Sequence, residues 1–211
     1  MAGVFAIAIK KPAPSYVFQD ELTNNDWWDE DDPSGVGSFT PGGYEKDGYA
    51  AYVLLESNSS KFRIKDDWEI ILDVDIDTIT GSPDDDGNVI LDVTQNAGKA
   101  SASGGIELKG NSDGTLNAAS VNTWTAGFTA GSYRLRIKRT ASDELTYWIW
   151  TGSQWEWNGN TNGVTTSSGG AWGSSTEVYI TISMGDESVG NMVDSTITQF
   201  TLVTGTFVDL T

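Results

Sequence analysis

Apolar and polar residues alternate with a period of two along most of the chain, and clusters of Gly, Asn, Asp and Ser break the alternation at roughly eight- to twelve-residue intervals. No segment keeps a helical period long enough to compete, so the pattern predicts an all-β chain. The clearest strand runs from Trp68 to Asp77. Its even positions are Trp68, Ile70, Leu72, Val74 and Ile76, and its odd positions are Glu69, Ile71, Asp73, Asp75 and Asp77. Successive side chains of a strand point to opposite faces, so one face is apolar and the other almost wholly acidic. Residues Tyr133 to Arg139 alternate in the same way, with Tyr133, Leu135 and Ile137 opposed to Arg134, Arg136 and Lys138.

Shorter strands are expected at Val4 to Lys10, 48–56, Lys61 to Lys65, 89–95, 104–109, 115–124, 177–184 and 195–204, with a last edge in "GTFVDL". Asp113-Gly114 suits a tight hairpin turn. Residues 20–47 read as irregular and acidic, and "NGNTNGVTTSSGGAWGSS" as a long loop. Two antiparallel sheets facing each other bury this many one-sided strands, which predicts a two-sheet β-sandwich. Pro12 and Pro14 enforce an extended connector after the first strand. The chain therefore divides into an amino-terminal strand or arm with a Pro linker, 1–15, and one sandwich domain, 16–211.

Charge narrows the functions. The 211 residues include 12 Lys+Arg and 30 Asp+Glu, a net of −18. Such a surface repels phosphate backbones and anionic bilayers, so neither nucleic acid nor a membrane is an expected partner. There is no His and no Cys. This excludes a Ser-His-Asp triad, a Cys nucleophile, a His- or Cys-ligated zinc site and any disulfide. The opening "MAGVFAIAIKKPAPS" has its apolar stretch before its lysines, the reverse of a secretory signal.

Three features carry candidate chemistry. If "TGSQ" forms a turn, Trp150 lies opposite Trp155 and Trp148 opposite Trp157, which puts four indoles on one face of a hairpin. They read either as packing, which the more polar opposite face (Tyr147, Ile149, Glu156, Asn158) favours, or as a platform for the C–H face of a sugar. Asp84, Asp86 and Asn88 alternate as calcium ligands do, although Gly87 is out of place for an EF-hand and no Glu follows, so a plain acidic turn is the competing reading. The acidic run Asp29, Glu30, Asp31 and Asp32 has the same two readings. The strand bearing Val4, Phe5, Ile7 and Ile9 alternates poorly and needs a cover, either the domain's own sheet or a neighbouring subunit docked by strand addition.

The order of "VFQDELTNNDWW", "WEIILDVDID", "YRLRIKR", "LTYWIWTGSQWEW" and "VYITISMG…STITQFTLVTG" resembles the concanavalin A-like lectin/glucanase (laminin-G-like) jelly rolls over roughly residues 16–205. The resemblance implies a jelly roll whose members include lectins, glucanases, carbohydrate-binding modules and phage virion proteins. The glucanases carry a Glu-x-Asp-x-Glu catalytic strand, and the matching residues here are Asp73, Asp75 and Asp77. Both outer positions are one methylene short. Asp73 and Asp77 have Cα atoms roughly 13 Å apart, whereas a retaining pair needs carboxyls about 5–5.5 Å apart.

The leading expectation is a non-catalytic virion surface protein, a capsid decoration or tail accessory subunit joined to other virion subunits through its first strand. A carbohydrate-binding module touching surface glycans through the hairpin tryptophans is the alternative. A glycoside hydrolase using the aspartate ladder ranks third. No cofactor is required, with Ca2+ the one ion considered.

Overall fold

The computed structural model describes residues 18–47, 53–58, 62–80, 88–94, 104–110, 116–120, 123–140, 144–167, 178–185 and 192–209. These contain strands and no helix. The strands are β1 (Phe18–Asp20), β2 (Trp28–Asp31), β3 (Gly37–Thr40), β4 (Gly43–Lys46), β5 (Val53–Ser57), β6 (Phe62–Thr80), β7 (Asn88–Thr94) and β8 (Gly104–Gly110). They continue as β9 (Leu116–Ser120), β10 (Thr123–Phe128), β11 (Gly131–Thr140), β12 (Glu144–Trp150), β13 (Trp155–Glu156), β14 (Val164–Ser167), β15 (Tyr179–Met184) and β16 (Met192–Asp209).

One sheet runs β13-β12-β11-β6-β16-β4-β3, with β1 added on β16 and β14 on β12. The other runs β10-β9-β8-β7-β15-β5-β2. Neighbouring strands pair antiparallel, and the fold is the expected two-sheet sandwich. Its core follows from the alternation. Ile70, Leu72, Val74 and Ile76 of β6 face Val89, Leu91 and Val93 of β7 and Ile180, Ile182 and Met184 of β15, all buried. Each such aliphatic side chain removed from water stabilises the fold by about 1.5–3 kcal/mol.

Several expectations change. Residues 20–47, read as irregular, form β2, β3 and β4, because strands of three or four residues carry too little alternation to be seen in a sequence. The segment read as a long loop after the tryptophan hairpin contains β14, whose Val164 and Thr165 pair with Tyr147 and Thr146. The two strands expected at 61–65 and 68–77 are one, β6, and "GTFVDL" is no separate edge but largely the end of β16, paired with the start of β6. Residues 115–124 split into β9 and β10, which pair with each other. Four register shifts along β6 and β16 let this long pair bend. At the β3–β4 turn Gly43 has φ +127°, and a Cβ there would lie 2.1 Å from the backbone oxygen of Ile197. Only glycine allows β4 to approach β16 so closely. The expected strand Val4 to Lys10 lies outside the described residues, as does the Asp113-Gly114 turn.

Candidate functional site

β10 of one sheet and β11 of the other end side by side, and the β12–β13 turn closes over them. The turn forms at "TGSQ", as its spacing predicts: Thr151 N–H donates to Gln154 O at 3.1 Å, and Gly152 has φ +90°. Phe128 and Tyr133 pack edge to face with centroids 5.7 Å apart. The Tyr133 hydroxyl donates to the Thr129 carbonyl and accepts from the Thr129 N–H, fixing the link between the sheets. Burial raises the Tyr133 pKa, the Thr129 bond offsetting part of the rise. Together these elements border an open cavity of ≈ 590 Å³ lined by Phe128, Thr129, Ser132, Tyr133, Arg134, Trp150, Thr151 and Gly152. That volume is in the range of small-ligand sites.

The four hairpin tryptophans do not share one face. Trp150 lies opposite Trp155, with centroids 5.5 Å apart at 64°. The ladder ends at Ile149 and Glu156, however, and Trp157 turns into the core, 4% exposed. A tight turn makes this possible: Trp157 and Asn160 exchange two 2.9 Å backbone hydrogen bonds, with Asn158 at φ 49° and Gly159 at φ 78°. Leu145, Tyr147 and Ile149 form the buried side of β12, so Trp148, Trp150 and Trp155 point to the outer face, half-buried. The expectation that packed indoles make the buried side therefore holds for Trp157 alone. Arg136 lies over Trp148 at 4.5 Å and Trp155 at 5.3 Å, which occupies those rings. Trp148 Nε1 donates to Thr161 O at 3.2 Å. Trp150 is the one of the four that lines the cavity.

The aspartate ladder lies on the same outer face and is tied to the cations of β11. Asp73 faces Arg134 across the β6–β11 pairing, and Arg134 Nε donates to its Oδ1 at 2.6 Å. Glu69 takes Arg136 at 2.9 Å and Lys138 at 3.9 Å. Asp75 stands opposite Ser132, and Asp77 is exposed. With Asp73 held in an ion pair and Asp77 two pleats away, this strand provides no converging carboxyl pair.

A second site sits on the outer face of the other sheet. Asp92 of β7 is 7% exposed and stands opposite Gly105 of β8, where a Cβ would fall 1.6 Å from its Oδ1. Burial, reinforced by the charge of Glu107, pushes its pKa up to about 7. Asn88 Nδ2 donates to Glu107 Oε1 at 2.9 Å. Of the calcium residues expected from sequence, Asp84 and Asp86 lie outside the described residues, and Asn88 bonds Glu107 through its Nδ2 while its buried Oδ1 has no hydrogen-bond partner among the described residues. Among the described residues no group of three or more acidic side chains gathers. Asp92 and Glu107 thus offer two carboxylates of a shell that for calcium takes six to eight oxygens. In the other acidic run, Asp32 accepts the backbone N–H groups of Gly35 and Gly37 at 2.8 and 2.7 Å, and Asp29 accepts Asn58 Nδ2 at 2.7 Å, so both shape local structure.

Sequence reasoning missed Phe128, Thr129, Ser132 and Asp92, and read Tyr133 and Arg134 only as alternating positions of a strand. Phe128 lies beyond the range read as strand, and nothing local announces a lone buried aspartate. The glycine pair before Ile106 was the available signal for Asp92, since a missing side chain on one strand makes room for a buried one on its neighbour.

No protein-family model matches the chain, and no curated protein does. Solved structures do. The exoplasmic/lumenal domain of VIP36, in a form bound to Ca2+ and Man3GlcNAc, has a TM-score of 0.57 at 14% identity, covering 86% of this chain and 85% of that one. A legume lectin-like domain from Entamoeba histolytica gives 0.54 at 12% identity, covering 88% and 91%. Lectin II from Ulex europaeus gives 0.58 at 10% identity, covering 90% and 99%. The chain has the concanavalin A-like lectin fold. Identity this low establishes the fold alone.

Proposed function

We propose that the chain is a lectin-like carbohydrate-binding module that holds a pyranose in the cavity beside Trp150. The observation carrying this reading is the cavity's lining: three aromatic rings, Phe128, Tyr133 and Trp150, next to the hydroxyls of Thr129, Ser132 and Thr151 and the Arg134 guanidinium. A pyranose has apolar C–H faces that lie against an indole and a rim of hydroxyls that need hydrogen-bonding partners, and the lining offers both. The glycan-bound VIP36 domain adds support from the same fold. The module works by binding, without bond breaking. Calcium belongs to this reading as an ion of the Asp92 face, where Asp92 and Glu107 would hold it and its charge would relieve their repulsion. Virion display, expected from the reversed secretory pattern, the cysteine-free composition, the lack of a catalytic constellation and the apolar strand Val4 to Lys10, finds no counterpart among the similar structures named above, whereas lectin domains of the same fold support the carbohydrate reading, which takes precedence.

The test is a glycan array followed by calorimetry on the hits. Wild type binds at least one glycan class, and Trp150→Ala loses that binding while keeping its β-sheet circular dichroism. A flat response across a broad array overturns the reading.

A further inference from the structure

The chain carries 30 acidic and 12 basic residues, yet the cavity lining contains one cation, Arg134, and no acid. A lining whose one charged group is of the rarer, basic kind favours an anionic group on its ligand, even with Asp73 offsetting part of that charge from the Nε edge of the guanidinium. Resting on the carbohydrate reading, the geometry points to a hexuronate, a pyranose bearing a carboxylate, as the sugar this cavity takes.

The placement of Arg134 supports a fork toward the ligand. Its Nε is engaged by Asp73 Oδ1 at 2.6 Å, which leaves the two terminal amino groups of the guanidinium for another partner. The side chain is 44% exposed and lies over the Trp155 ring at 5.7 Å, so the Asp73 bond and the indole orient the fork before anything binds. A planar guanidinium matches a planar carboxylate through two parallel N–H···O bonds, and an Arg already held in place loses little rotamer entropy on binding. In a hexuronate the carboxylate stands on the ring carbon next to the ring oxygen and extends outward from the ring's edge. A ring lying against Trp150 therefore presents its carboxylate sideways, within the same cavity as Arg134.

Calorimetry on the full chain compares a uronate oligosaccharide, its carboxyl-reduced neutral counterpart, a sialylated lactose and a sulfated oligosaccharide. The uronate binds roughly tenfold or more tightly than its reduced counterpart. In Arg134→Gln that ratio falls toward one, and Arg134→Lys, which keeps the charge without the fork, is intermediate. Equal affinity of wild type for the uronate and its reduced form overturns the acidic-sugar assignment and leaves the carbohydrate reading standing. Preference for the sialylated or sulfated sugar overturns the uronate. Binding of none of them, with a flat glycan array, removes the underlying reading itself. The wild-type comparison stands even if Arg134→Gln does not fold.

Discussion

Arg134 and Asp73 face each other in register across β11 and β6, and their 2.6 Å ion pair fixes the orientation of the one arginine that lines the proposed sugar cavity. The pair is partly exposed, at 44% and 22%, so solvent screens it and its direct contribution to stability is small. Asp73→Asn should cost less than about 1 kcal/mol in urea denaturation. It should weaken glycan binding all the same, because the guanidinium is no longer held in one orientation. A loss of several kcal/mol would mean that the pair is a core element, contrary to its exposure.

Trp150 and Trp157 divide one hairpin between a cavity wall and the core. Trp157 is 4% exposed and belongs to the core cluster, whereas Trp150 is half-buried and lines the cavity. Trp157→Ala should lower unfolding stability by about 3–5 kcal/mol, the cost of a deleted core aromatic and its cavity. Trp150→Ala should lower it by much less and remove binding instead. Chemical denaturation of the two variants side by side checks this, and equal losses would contradict the division.

This division also explains how far the sequence could be read. Period two identified the buried row Ile70, Leu72, Val74 and Ile76, and the matching row of cations on β11, because long strands with one wet face repeat the same signal many times. It could not separate Trp157 from Trp155, since two residues on alternate positions share a face only while the ladder lasts. Here it ends at Glu156, and the turn through Asn158 and Gly159 redirects the ring. The cavity was illegible for a different reason. Phe128 and Trp150 come from different sheets and meet only at the end of the sandwich, a relation set by tertiary structure and not by any local motif.

Asp92 makes stability depend on pH in a definite direction. Its folded pKa, about 7, lies above the 3.8 of a free aspartate, so between these values the folded state holds a proton that the unfolded state has released. The stabilisation is fully present below about pH 4 and is lost as the pH rises through 7, and it amounts to a few kcal/mol at most. In the presence of a chelator, the melting temperature should therefore climb as the pH is lowered from 8 to 6. Asp92→Asn should be flatter over this range and more stable than wild type at pH 8. An unchanged slope in the variant would assign the limb to other groups.

Calcium should act on the same carboxylate with the opposite pH preference. A cation between Asp92 and Glu107 favours their ionised forms and binds the folded state alone, so it must raise the melting temperature by mass action. The gain should be largest at pH 8, where both groups are ionised without competition from protons, and should shrink toward pH 5. Calcium should therefore flatten the limb that the chelator exposes, and Asp92→Asn, with one carboxylate left, should lose most of the response. Magnesium is the informative comparison, because it dehydrates reluctantly and demands a tighter octahedral shell than two carboxylates on a sheet face provide. Superimposable melting curves in calcium and in chelator at pH 8 would remove the ion from the functional reading and leave the Trp150 cavity to stand by itself.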